Sequence, residues 1–190
     1  MRTRLGLCAL TQDHPDLVGL ILDTFADVVD ESIIGVDARV DPSTMQPIVR
    51  RATHTVRMEV TTPDDITPAK WWLSEQLDCP WVLFVDTDEI PSNDLIAWLR
   101  RFKRDETSTT HVSFRRRWLW PTVATYLLDD PWRDDPQTRL VRVDQQVARC
   151  GRSLHETVLV GGSGRVQPQC LYHLDTVLNS VDERRKKVRR

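Results

Sequence analysis

Trp81-Val82-Leu83-Phe84-Val85-Asp86-Thr87-Asp88-Glu89 runs five apolar residues without a break into three carboxylates. An uninterrupted apolar run of this length, rich in β-branched and aromatic residues, reads as a central strand buried on both faces. Such a strand delivers Asp86 to the sheet edge, where open α/β folds bind their ligands. Carboxylates this close repel one another. A hard divalent cation, Mg2+ or Mn2+, relieves the repulsion and keeps coordination positions open for phosphate oxygens. The competing reading makes Asp86 and Glu89 caps of the following helix and leaves Asp88 solvated. The setting directly after a buried strand favours the cation and a diphosphate.

Working outward, apolar runs alternate with stretches of helical period, the pattern of a parallel sheet with crossover helices. Strands are expected over residues 5–10, 32–36 and 55–60. A helix is expected after Pro15, where Leu17, Leu20, Ile21 and Phe25 recur at helical spacing, and others over residues 68–77 and 93–101, the last capped by Ser92 or Asn93. Asp37 falls at the C-terminal end of the second strand, again the ligand-binding edge. Residues 38–53 carry Pro42 and Pro47 and read mostly as loop. After residue 104 the pattern changes to shorter strands, expected over 111–116, 138–143, 154–160 and 166–172. The expected class is therefore α/β, with a Rossmann-like, mostly parallel central sheet flanked by helices and a mixed C-terminal half. One domain is expected over residues 1–190, its nucleotide-binding half about 1–104 and its acceptor half about 105–190.

With 190 residues the chain is long enough to bury about two-thirds of its unfolded surface. A formal charge of −2 offers no global attraction to nucleic acid, and the run Arg115-Arg116-Arg117 beside Trp118 and Trp120 reads as a solvated strand end. Cys8, Cys79, Cys150 and Cys170 show no close pairing, so reduced thiols in a cytoplasmic protein are expected. The N-terminal apolar run is too short for a membrane span. Residues 120–137 form a long Pro-rich stretch with Trp132 and four acidic residues, a functional loop by its length. The Lys/Arg-rich end after Thr176 reads as a helix with a basic last turn, suited to weak peripheral contact with anionic lipid heads.

Residues 81–92, followed in order by Arg117-Trp118-Leu119-Trp120-Pro121, Pro131-Trp132-Arg133-Asp134-Asp135, Gln137-Thr138-Arg139-Leu140-Val141-Arg142 and Leu154-His155-Glu156, resemble a bacterial branch of the family 2 glycosyltransferases. The likeness covers most of residues 5–188, strongly from Trp81 onward. It implies the GT-A fold, a nucleotide-sugar donor (a UDP- or GDP-sugar) and Mn2+ or Mg2+ held against the diphosphate by the D-x-D acids. Carried over, Asp86 would face the ribose or the metal, Asp88 would ligate the metal, and Asp37 would contact the nucleoside. Where relatives open with a Thr-Arg-Asn-like or Lys-Asn-Glu-like stretch, this chain has Thr11-Gln12-Asp13-His14, which bears on base and ribose recognition.

With that likeness, the His155 imidazole would complete the metal's ligand set, with His173 as its rival, and Glu156 could accept a proton. Inverting transfer needs a carboxylate to take the acceptor proton. Asp135 is preferred, ahead of Asp134 and Glu156. Arg139 and Arg142 are candidate phosphate clamps, but three residues apart on a strand they face opposite ways unless something bends, so one of them is structural. Two other enzyme classes use acids in this way. A phosphatase or phosphotransferase of the haloacid-dehalogenase type expects Thr or Val where Ile90 stands, and a nucleotidyltransferase expects a Gly-rich basic loop after the first strand. A non-catalytic nucleotide-binding module of the same fold is the remaining alternative. The chain is short for a GT-A enzyme, so a C-terminal extension or a partner chain is expected to help form the acceptor site.

Overall fold

The computed structural model describes residues 3–12, 14–102, 108–130, 132–133, 135–143 and 160–188. In chain order they form β1 (Leu5–Thr11), α1 (Pro15–Phe25), β2 (Glu31–Asp37), α2 (Gln46–Val49), β3 (His54–Met58), α3 (Ile66–Ser74), β4 (Trp81–Asp86), β5 (Glu89–Pro91), α4 (Asn93–Phe102), β6 (His111–Trp118), β7 (Asp135–Arg142), β8 (Gly164–His173), α5 (Asp175–Leu178) and α6 (Val181–Val188). All eight strands join one sheet in the order β3-β2-β1-β4-β7-β6-β8-β5.

The first four strands are parallel, β1 pairing with β2 and β4, and β2 with β3. β7 then runs antiparallel to both β4 and β6, and β8 runs parallel to β6. The sheet is thus parallel in its first half and mixed in its second, as the change of pattern after residue 104 implies. One strand escapes the sequence pattern: β5 is only three residues long and pairs antiparallel with β8. The strand expected over 154–160 lies, except for Val160, outside the described residues.

Strand alternation builds two cores. Leu5, Leu7 and Ala9 of β1 and Trp81, Leu83 and Val85 of β4 face α1 and α4, packing on Val18, Ile21, Phe25, Leu95 and Leu99. Cys8, Ile33, Val82 and Phe84 face the other way, against Trp71 and Leu73 of α3. Both faces of β4 are therefore covered, which is why its sequence has no polar break. Gly35 on β2 allows α3 to lie close. A Cβ there would come within 2.6 Å of Leu73 Cδ1 and 2.9 Å of Leu10 Cδ1 and Met58 Sδ. Ser92 caps α4, its Oγ accepting from Leu95 N at 3.2 Å. The sequence Gly161-Gly162-Ser163-Gly164 forms a turn, with Gly162 at φ +102 leading into β8. The basic C-terminal stretch is helical through Val188, with side chains beyond Arg184 outside the described set. Among the described residues no helix is long and apolar enough to cross a membrane. Cys8, Cys79 and Cys170 are free thiols, Cys8 pushed up to about 12 by burial.

Candidate active site

The parallel strands β1, β2 and β4 end along one edge, at Thr11, Asp37 and Asp86. Asp86 shares its face of β4 with Val82 and Phe84, the face that α3 covers, and this determines its partners. Lys70 of α3 donates from Nζ to Asp86 Oδ1, and Arg139 of β7 donates from Nη2 to Asp86 Oδ2. Arg139 also lies 2.7 Å from Glu89 Oε1, and Asp86 N donates to Glu89 Oε2 at 3.2 Å. The Lys70, Arg139 and Glu89 side chains are 4%, 1% and 0% exposed, so the ions are shielded from water and need one another. Burial opposes ionisation of Asp86, but the charges of Arg139 and Lys70 outweigh it and hold the carboxyl well below the usual range. For Glu89 the balance goes the other way. Burial, together with the neighbouring Asp86 charge, lifts it above the usual range despite Arg139.

Arg139 stands at a β-bulge. Leu140 stands opposite Val112 and Thr138 opposite Ser113, leaving Arg139 as the extra residue on β7. Arg142 stacks on Trp81 instead, its guanidinium 5.8 Å from the ring centroid. The two arginines thus part company as their spacing requires. The phosphate clamp expected of Arg139 is not what the geometry offers, because its guanidinium is buried between two carboxylates of its own chain.

Asp88 is positioned by the strand pairing of β5 with β8. Glu89 lies opposite His173, Leu174 N donates to Asp88 O at 2.8 Å, and His173 Nε2 lies 3.3 Å from Asp88 Oδ2. Burial pushes the His173 pKa down, but the hydrogen bond and charge of Asp88, with Glu89 adding to them, raise it overall. His173 Nδ1 is buried with no hydrogen-bond partner. On its other side, His173 packs edge-on against Trp118, with centroids 4.2 Å apart.

Trp118 links this pair to the acid preferred as base. Its Nε1 donates to Asp135 Oδ2 at 3.0 Å, Arg116 Nε donates to the same oxygen at 2.7 Å, and Gln137 Nε2 donates to Oδ1. Burial pushes Asp135 up, but Arg116 and the three donors outweigh it, so the group stays ionised below the usual carboxylate range. Trp132 sits 6.1 Å from Trp118, closing one side. Asp37 is placed at the end of β2 as expected, and its carboxylate is met by Arg39 (Nε at 2.9 Å, Nη2 at 2.8 Å) and by Gln12 Nε2 at 3.0 Å. Asp134, His155 and Glu156 lie outside the described residues.

Among the described residues, Lys70, Arg116, Trp118, Arg39, Gln12 and Gln137 take part without having had a role in the expected set. Lys70 does carry a signal, being a lysine beside Trp71 and Leu73 on the buried side of a helix. Arg116 reads from the sequence as part of a solvated basic run, yet its side chain is only 12% exposed because Asp135 holds it inward. His173 carried the weaker of the two histidine readings, and the register of β8 is what brings it to Asp88.

Among the described residues no three His, Cys, Asp or Glu side chains converge as a metal site. Asp86, expected as a ligand, has both oxygens taken by cations. Asp88 and His173, joined through Oδ2 and Nε2 at 3.3 Å, set a carboxylate and an imidazole beside it. Mg2+ and Mn2+ at phosphate sites are commonly held by one or two carboxylates plus phosphate oxygens, so Asp88 fits such an ion beside a phosphate, and His173 can join it only after giving up the proton that Asp88 stabilises.

No family model matches the chain, and no curated protein matches it. Solved structures do. S. aureus TarS 1–349 in complex with UDP-GlcNAc superimposes with TM-score 0.63 at 11% identity, over 95% of this chain and 60% of that one. Rv0371c from Mycobacterium tuberculosis H37Rv gives TM-score 0.55 at 13% identity over 100% of each chain. A second structure of TarS 1–349 gives TM-score 0.50 at 15% identity, over 63% of this chain and 37% of that one. This chain therefore spans less than two thirds of the TarS chain. At such identities the likeness is one of fold, and the fold is of the GT-A kind that the sequence resemblance implies.

Proposed function

We propose that the chain transfers a sugar from a nucleotide-sugar donor, a UDP- or GDP-sugar, to an acceptor hydroxyl, with inversion, using Mn2+ or Mg2+. The observation that carries this reading is the Asp88–His173 pair at the ligand-binding edge of a GT-A sheet. A neighbour of the same fold was solved with UDP-GlcNAc, which supports a nucleotide-sugar as the donor class. Asp88 and His173 would hold the cation, with His155 as a further candidate. When bound, the cation supplies charge neutralisation for the departing nucleoside diphosphate.

The chain's own residues do the rest. Arg139, shared by Asp86 and Glu89, keeps the turn after β4 in place, so that Asp88 meets His173. Asp37, gripped by Arg39 and Gln12, stands where the nucleoside would lie. Asp135, already ionised, takes the acceptor proton as the hydroxyl oxygen bonds to the anomeric carbon and the bond from that carbon to the diphosphate oxygen breaks. Trp132, half-buried beside it, offers an indole for a sugar ring, whereas Trp118 is covered by Arg116 and His173. Asp134 and Glu156 are the other candidate bases.

Calorimetric titration of UDP and of GDP, each with and without Mn2+, into the wild type and into Asp88→Ala tests the reading. One nucleotide should bind with metal only, and Asp88→Ala should weaken it by about tenfold or more, the loss of a charged ligand being worth upward of ~1.4 kcal/mol. If neither nucleotide binds under either condition, the reading fails. Metal-dependent binding without transfer or hydrolysis of any donor would favour the non-catalytic module.

A further inference from the structure

Lys70 stands where the packing of α3 calls for an apolar side chain. It is 3% exposed, between the sheet and the buried Trp71 and Leu73, and its Nζ donates to Asp86 Oδ1. A buried ammonium is costly unless it is met by an opposite charge, and Asp86 meets it. The other oxygen of Asp86 accepts from Arg139, which also serves Glu89. Two of the three acids after β4 are thus occupied by buried cations from two different elements, α3 and β7. Any divalent cation approaching Asp86 would meet an ammonium and a guanidinium within hydrogen-bond distance of that carboxylate. Like charges so close repel more strongly where water is excluded than in bulk solvent. Asp88 meets His173 of β8 instead.

We propose that Lys70 withholds Asp86 from the divalent cation, so that the D-x-D stretch presents Asp88 alone and the cation binds together with the nucleoside diphosphate instead of ahead of it. The proposal rests on the nucleotide-sugar reading of this edge. It makes Lys70 a positioning residue with an electrostatic role, one that a purely structural lysine would not have. Removing the ammonium should therefore create metal affinity, whereas loss of a structural strut would only reduce it.

The test is direct titration of Mn2+ into the intact chain, with free Mn2+ followed by electron paramagnetic resonance, in the absence and presence of UDP or GDP. The wild type should bind Mn2+ alone weakly and at least about tenfold more tightly with the nucleotide. Lys70→Met should bind Mn2+ without nucleotide about tenfold or more tightly than the wild type, because the ammonium no longer opposes a cation at Asp86. Lys70→Met combined with Asp86→Asn should return to within about twofold of the wild type, since the carboxylate that gained the metal is gone. Lys70→Gln serves in the same way should Lys70→Met fail to melt cooperatively. Unchanged or weaker nucleotide-free Mn2+ binding in a cooperatively melting Lys70 variant overturns the proposal, as does tight binding that survives Asp86→Asn. Failure of both nucleotides to bind the wild type with Mn2+ sinks the nucleotide-sugar reading instead, and the nucleotide-free comparison still decides whether Lys70 masks Asp86.

Discussion

Asp135 shows what a single residue's surroundings do to its chemistry. Three donors, from Arg116, Trp118 and Gln137, converge on its two oxygens and keep it ionised. Such a carboxylate is ready to accept a proton at neutral pH, although its lowered basicity moderates the driving force. If it is the base, Asp135→Asn should lower kcat by about 10²–10⁴-fold while the Kd for nucleotide stays within about twofold. The alternative role, a strut for Arg116 and Trp118, predicts the opposite split, with nucleotide or acceptor affinity lost and kcat largely kept. Steady-state kinetics alongside calorimetry separates the two. Asp135 was legible as a candidate because it lies in an acidic, Trp-bearing loop. Its donors were not, because Arg116 reads as surface charge until strand pairing turns it inward.

Elements position the site through packing. Phe84 lies on the α3 face of β4, fully buried and edge-on to Trp71 at 5.5 Å between centroids. Phe84→Ala should destabilise the protein by about 3–5 kcal/mol, from lost burial and the cavity left behind. Trp72, one residue along α3 and 47% exposed, should tolerate Trp72→Ala within about 0.5 kcal/mol. Urea denaturation of both variants checks the pair, and equal costs would mean that α3 does not pack as described. The same helix face carries Lys70, so the sequence signal for the strand and the unread signal for the site are neighbours. Helix and strand periods gave away α1, α3, α4 and β4. They gave no hint of β5, whose three residues are too few to show alternation.

For the whole molecule, charge pairs at the sheet edge couple stability to pH. Asp37 is 1% exposed, and its pKa is lowered chiefly by the Arg39 side chain, with Gln12 and the Arg39 backbone amide adding to it against burial. A carboxyl depressed in the folded state contributes stability that is fully present above its unfolded pKa of about 3.9 and is lost as pH falls toward the folded value. The Tm of the wild type should therefore exceed that of Asp37→Asn above about pH 5, and the gap should narrow steadily below about pH 4. A gap that does not change across this range would mean that Asp37 is not ionised against Arg39. Since the Arg39 side chain is 60% exposed, salt should reduce the gap as well.

By itself the sequence determined the α/β class, the central strand β4 and the edge at which Asp37, Asp86 and Asp88 emerge. These depend on local periodicity and on the direct succession of acids after an apolar run, both written within a few residues. Tertiary structure alone decided who meets those acids. Lys70 comes from a helix upstream, Arg139 from a bulge on an antiparallel strand, and His173 from the pairing of β8 with β5. Such partners are brought together by register and crossover geometry, in which a slip of one residue turns a side chain to the other face. No local pattern records that choice, because it is made by the packing of the whole sheet.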